Sequence, residues 1–386
     1  MPHLILDRFA PPKTPAERAG LVFEFASRGE EGIVGVRADD QRFLLRWFKH
    51  PKGAILKVDK ATRPPLLGLV KKALSTLAEL GGGQIVHSTL SIAKPDRRYK
   101  HLHEADYFAG GYDYAKPLWI EVGFGSGRHI LHNAKNHPDK LHLGIEIHRP
   151  SAEQLLRRCE HEGVENIAVI GSDARTILQT VAAASAERIF VHFPVPWDKS
   201  PARRVFSRGF IEEAIRVLKP HGRLELRTDS RMYFDYAFGL LCDLAQAELL
   251  VRKNHDAPIT SKYEDRWRRM ERDIYDLVLT NRLENEFQQV WYDFGFEGLN
   301  AATEPIADRL HNTSLTEGGF LLKIREWWHL DNGGALFMLT LGSYDAPQTL
   351  YLMAQPDQIG YYPAPPMPTR ESHQAHNVLK RLLRGE

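Results

Sequence analysis

The sequence predicts an α/β protein: a doubly wound, mainly parallel sheet in the middle of the chain, with β-rich N-terminal and C-terminal extensions. Three observations carry that prediction. From Leu118 onward short apolar strands alternate with segments of helical spacing. The first of those strands ends in a glycine-rich turn. Both ends of the chain are rich in β-branched and aromatic residues interrupted by turn formers.

In the N-terminal extension, "LVFEF", "GIVGVRADDQRFLLRWF" and "AILKV" read as strands, broken at Asp39-Asp40 and Pro51-Lys52-Gly53. A helix is expected from about Leu66 to Leu80, ended by three glycines. No catalytic constellation stands out there. In the middle, "LWIEV", "LGIEI", "NIAVI", "RIFVHF" and "RLELRT" are the expected strands, and Ile211, Ala214, Ile215 and Leu218 show the helical spacing between them. Towards the end "GGFLLKIREWW", "ALFMLTL" and "TLYLMA" read as strands, and the proline-rich "YYPAPPMP" precedes a basic final helix. The expected units are 1–95, 96–290 and 291–386.

Bulk properties bound the function. The 386 residues are 43% hydrophobic and 26% charged with a net charge of +2, which fits a globular protein and requires any nucleic-acid partner to be held by a local basic patch. Cys159 and Cys242 make no disulfide framework, as expected of a cytoplasmic protein. No apolar run is long enough to suggest a membrane partner, and "MPHLILDRFAPPK" is too short in apolar residues for a secretory signal. His101, His103 and Glu104 resemble a metal cluster in composition only, so no metal is expected.

In an open α/β sheet ligands bind past the C-terminal ends of the strands. The first strand runs into "EVGFGSG", where Gly123, Gly125 and Gly127 permit a tight turn and close ligand approach ahead of a helix. A dinucleotide fingerprint would place glycine where Arg128 stands, and Glu121 suits a cationic ligand or ribose hydroxyls. Glu146, 19 residues beyond Gly127, ends the second strand and can accept two ribose hydroxyls or stand solvated. Asp173, after the third strand, can accept from an adenine amino group or cap the helix that follows. The fourth strand runs into "FPVPWDKSPARR": two prolines stop both sheet and helix, Trp197 offers a flat face, and Lys199, Arg203 and Arg204 offer charge. That is either a nucleic-acid contact or a structural corner with its tryptophan in the core.

The E-x-G-x-G-x-G turn resembles the first motif of class I S-adenosylmethionine-dependent methyltransferases, whose fold is Rossmann-like. "FPVPWDKSPARR" resembles the F-P-D-P-W-x-K signature, followed by an arginine pair, of the bacterial tRNA (guanine-N7-)-methyltransferases. "RTDS" and "ITSKYEDRWRRMERDIYDLVL" are similar to two further stretches of that family. The resemblance spans roughly 118 to 281. It implies S-adenosyl-L-methionine as cofactor, held by Glu121, Glu146 and Asp173 with the glycine turn. It implies tRNA as partner, met by Lys199, Asp229 and Ser261-Lys262-Tyr263-Glu264, the last quartet serving also as a capping box. Arg203, Arg204, Arg268 and Arg272 are expected on the RNA backbone, the last two sharing a helix face.

Val195 stands where the family usually has aspartate, so no catalytic residue is assigned, and Asp198 is the candidate substitute. Guanine N7 carries a lone pair and no proton, so its methylation needs alignment rather than a base. The implied activity is N7 methylation of a tRNA guanine in the variable loop. Two rivals are a tRNA-binding protein that has lost catalysis and a class I methyltransferase acting on another RNA or on a small molecule. A nicotinamide dehydrogenase fits Glu121 and Arg128 poorly.

Overall fold

The computed structural model describes residues 2–39, 41–62, 67–90, 99–109, 112–257, 259, 264, 270–299 and 303–386. The chain divides into two compact units, one made of 1–97, 293–366 and 370–386, the other of 98–292 and 367–369.

In the first unit seven antiparallel strands form one sheet: β1 (His3–Leu6), β2 (Ala16–Arg18), β3 (Leu21–Ala26), β4 (Gly32–Ala38), β5 (Gln41–His50), β6 (Gly53–Val58) and β7 (Ile85–Ser88), in the order β2-β3-β4-β5-β6-β1-β7. Helix α1 (Leu67–Leu80), where a helix is expected, packs Val70, Leu74 and Leu77 against Leu4, Phe23, Val34 and Leu45. The opposite face carries Phe25, turned there by a bulge between Phe23 and Phe25, together with Ile33 and Leu44, and this apolar face demands a second cover. The C-terminal stretch of the chain provides it. Leu330, Leu336, Tyr351 and Tyr362 pack there, and Ser27 bridges to Leu330. The two terminal extensions therefore share one core. Periodicity shows that a strand face is apolar; it does not say which strand some 300 residues away will cover it.

The central unit contains β8 (Leu102–His103), β9 (Leu118–Val122), α2 (Arg128–Asn136), β10 (Leu141–Ile145), α3 (Arg149–Glu162), β11 (Ile167–Ile170), α4 (Ala174–Thr180), β12 (Ala186–His192), α5 (Arg208–Val217), β13 (Leu218–Thr228), α6 (Arg231–Cys242), β14 (Glu248–Lys253) and β15 (Tyr275–Thr280). The sheet order is β14-β15-β13-β12-β9-β10-β11-β8, parallel from β13 to β8, with β15 antiparallel to both of its neighbours. This is the expected doubly wound sheet. Helices α4, α5 and α6 cover one face, burying Ile177, Phe210 and Tyr233 against Ile120, Val191 and Leu226. Helices α2 and α3 cover the other over β10 and β11, burying Leu131, Leu155 and Cys159 against Ile167 and Val169. The strand order reverses between β9 and β12, which makes the ends of those two strands the switch point.

The C-terminal part of the first unit is a five-stranded antiparallel meander, β16 (Ser314–Glu317), β17 (Phe320–His329), β18 (Ala335–Ser343), β19 (Pro347–Gln355) and β20 (Gln358–Tyr362), in sequence order. Helices α7 (Thr303–Leu310) and α8 (Arg370–Arg384) close its outer face through Leu310, Leu379 and Leu383.

Candidate active site

The turn after β9 is built by left-handed backbone. Gly123, Gly125 and Gly127 have φ of 67°, 52° and 68°. At Gly127 a side chain is excluded twice over, because a Cβ there would lie 2.8 Å from Leu155 of α3. Glu146 ties this turn to the end of β10: its carboxylate accepts from the backbone N–H of Gly125 at 3.0 Å and of His148 at 2.8 Å. A carboxylate offers about four lone-pair sites, so two remain for a ligand.

Beside the turn a groove of about 800 Å³ lies over the half of the sheet that α2 and α3 leave bare, its floor formed by alternate residues of β9, β12 and β13. Glu121 is buried there and accepts from His129 Nδ1 at 2.7 Å through Oε2; its Oε1 has no protein partner among the described residues. The rings of His129 and His192 stand 4.5 Å apart, and His192 Nε2 lies 2.9 Å from Glu225 Oε1. Burial pulls the pKa of His129 down, but the Glu121 carboxylate, by charge and hydrogen bond, outweighs it and leaves His129 above its ordinary value. Burial likewise pushes Glu225 up, yet the hydrogen bond from His192 and the neighbouring cations bring it down to about 2. The groove floor is thus a row of alternating charge.

Glu264 belongs to the same row. It is fully buried and forms a two-pronged pair with Arg227, which donates from Nη2 to Oε1 at 2.7 Å and from Nε to Oε2 at 3.2 Å. Arg227 also donates to Asp276 and to the carbonyl of His255. A carboxylate so enclosed holds Arg227 in place and presents no free oxygen to RNA, unlike the expectation for that residue. The rest of its quartet, Ser261, Lys262 and Tyr263, lies outside the described residues, as does Arg268.

Asp173 caps α4, as one of its two readings has it. Its oxygens accept from the Arg175 backbone N–H at 2.9 Å and from the Arg175 guanidinium at 3.0 and 2.7 Å. Asp229 sits just past β13 and accepts from Arg272 Nη1 at 3.0 Å, so Arg272 is held by a carboxylate.

The proline corner stands out from the surface. Phe193 and Trp197, on either side of Pro194-Val195-Pro196, have φ of 49° and 45°, a left-handed backbone that non-glycine residues rarely adopt and that gathers at functional sites. Trp197, Lys199 and Val195 are exposed, and the Arg203 guanidinium lies 4.0 Å over the indole. The tryptophan is therefore a surface platform with a cation on it. Arg204 departs from its expected place on the RNA backbone. It is 3% exposed, donates to the Pro196 carbonyl at 2.7 Å and stacks over Tyr233 and Tyr236. It braces the corner from within, and Asp198, half exposed, is its ion partner at 3.6 Å.

His129, His192, Glu225 and Arg227 are absent from the sequence-based site. The signal of Glu225 and Arg227 is present in "RLELRT", since a strand buried on both faces reads as a continuous apolar run and this one alternates; "RIFVHF" carries an apolar run up to His192, and His129 lies on α2. No cluster of three or more potential metal ligands occurs among the described residues, and none of their helices is long and apolar enough to cross a membrane.

Comparison with known proteins agrees with this geometry. Residues 115–277 match the family described as "Putative methyltransferase". A tRNA (guanine-N(7)-)-methyltransferase of Wolinella succinogenes is 39% identical over 99% of this chain and all of that protein. Proteins of the same name from Helicobacter hepaticus and Helicobacter pylori are 32% and 34% identical, over 100% and 99% of this chain and 100% and 98% of their own lengths. The similarity includes both terminal extensions as well as the central sheet. The chain belongs to the tRNA (guanine-N(7)-)-methyltransferase family.

Proposed function

We propose that this chain methylates N7 of a guanine in the variable loop of tRNA, with the donor at the switch point between β9 and β12 and the RNA on the proline corner. The observation that carries the reading is the buried Glu121 carboxylate, whose Oε1 opens into the groove beside a glycine turn. Nothing stands within 4 Å of where a Cβ on Gly123 would lie, and a Cβ on Gly125 would meet the Gly123 carbonyl oxygen at 4.0 Å, an ordinary contact, so the backbone is open to a ligand. The residues fit S-adenosylmethionine: Glu121 suits its ammonium group, and the two remaining lone-pair sites of Glu146 suit its ribose diol. Bound there, it supplies an electrophilic methyl group carried on a sulfonium.

The residues of the chain then have to align and neutralise rather than move protons. N7 of guanine attacks through a lone pair and loses no proton, so the site needs no base and Val195 is compatible with turnover. Alignment of this kind contributes up to about 7–11 kcal/mol. The Trp197 face with Arg203 upon it, and Lys199 beside it, offer stacking and phosphate neutralisation. Asp198 is the acid we propose in place of the missing aspartate, acting by charge alone.

The position of the methyl group tests the reading. Borohydride and aniline cleave RNA at 7-methylguanosine. Incubation of unmodified tRNA with this protein and donor should therefore yield scission within the variable loop. Scission elsewhere would contradict the location.

A further inference from the structure

The terminal unit carries a pocket of its own, about 390 Å³ in volume, where the β5–β6 hairpin meets Met338 and Thr349 of the C-terminal meander. Its chemistry is cationic and aromatic. Residues 41–60 contain six Lys or Arg and a single acid, Asp59. That acid is buried and turned to structural use: it accepts from the backbone N–H groups of Ala61 and Thr62 and from the Tyr351 hydroxyl. Three cations line the cavity. Arg46 lies between Phe48 and Trp328, 4.8 and 5.1 Å from the ring centres, and is paired with Glu326 through Nη2 only. Its Nε is buried without an acceptor. Lys57 places its ammonium 4.0 Å over Phe48, and Lys60 is exposed; neither has an ion-pair partner among the described residues.

An aromatic ring holds Lys57 in place without cancelling its charge, Glu326 is paired with Arg46, and Asp59 is taken up by two backbone N–H groups and the Tyr351 hydroxyl. The pocket keeps a positive charge in a fixed place, which is the requirement for an anion. The volume fits a phosphate with its sugar and is too small for a folded partner. We propose that this pocket is a second RNA contact, taking a backbone phosphate of the tRNA on a unit separate from the one that carries methyl transfer. The inference rests on tRNA as substrate, and its readout is binding, so failure of methyl transfer and failure of this contact are separately visible.

The test is the full-length double variant Lys57→Gln/Lys60→Gln, measured for affinity to unmodified tRNA across a range of salt concentrations. Each lost phosphate contact lowers the salt slope by about 0.7–0.9, and the pocket takes one phosphate, so the slope should fall by about that much and tRNA affinity by about three- to tenfold. Affinity for S-adenosylhomocysteine should stay unchanged, which controls for the methyl-transfer unit, a wild-type unfolding transition controls for the terminal unit, and Lys57→Arg/Lys60→Arg should bind as the wild type. Wild-type affinity and slope in the Gln variant would overturn the proposal. Inorganic phosphate separates the two sources of the anion. Saturable phosphate binding that the Gln variant loses while tRNA affinity stays at the wild-type level would overturn it in favour of a small-anion site.

Discussion

His129 Nδ1 and Glu121 Oε2 lie 2.7 Å apart, joining the first helix of the central sheet to the strand before it across the glycine turn. The groups facing His129 are Glu121 on β9, His192 on β12, Glu225 and Arg227 on β13, and Asn133 on its own helix. Burial alone would keep it neutral; the carboxylates prevail and raise its pKa. A raised histidine contributes stability that is complete below its unfolded value, about 6.5, and that disappears as pH rises through the higher folded value. His129→Gln should therefore melt below the wild type in mildly acidic buffer, with the gap narrowing as pH rises. A gap that is constant with pH would show that His129 is not charged in the folded protein.

Glu121→Gln removes the charge offered to the donor's ammonium group. Hydrogen bonds to charged groups contribute about 1.5–3 kcal/mol, so calorimetric affinity for S-adenosylhomocysteine should fall about ten- to hundredfold. Methylthioadenosine, which lacks the amino acid, should bind both proteins equally. Equal losses for both ligands would mean that the substitution collapses the turn instead.

Breaking the Arg227–Glu264 pair leaves a buried guanidinium with one carboxylate instead of two. Such a loss costs about 3–5 kcal/mol. Glu264→Gln should show this in denaturant unfolding, while tRNA affinity of the folded variant stays within about threefold of the wild type, on the order of 0.6 kcal/mol. A large loss of RNA affinity with intact stability would return Glu264 to the RNA side.

Asp198 tests whether the acid missing at position 195 has been replaced. Asp198→Ala should lower kcat by about tenfold, or about 1.4 kcal/mol, and leave donor affinity alone. Unchanged turnover would remove the proposal and leave Arg204 as the sole purpose of this carboxylate.

Much of this was legible in the chain. The glycine turn, the acids at the strand ends and the proline corner are local patterns, and each lies where its strand end puts it. What stayed hidden depends on distance in sequence. Arg204 looks like the cation beside it, Arg203, until folding brings Tyr233 and Tyr236 beneath it. Glu264 reads as a helix cap until Arg227, 37 residues earlier, reaches it. The shared core of the two chain ends depends on Phe25 and Ile33 meeting Leu330 and Tyr351, and no local spacing encodes that meeting. The charged groove floor is the intermediate case, since "RLELRT" alternates visibly but its partners do not.

The central claim is chemical: a site with valine between its prolines transfers a methyl group to guanine N7 because no proton has to be removed. The direct measurement is transfer from labelled S-adenosylmethionine to unmodified bulk tRNA, followed by nucleoside analysis of the product. The account predicts label in 7-methylguanosine. Label in another nucleoside, or none despite measurable donor and tRNA binding, would contradict it.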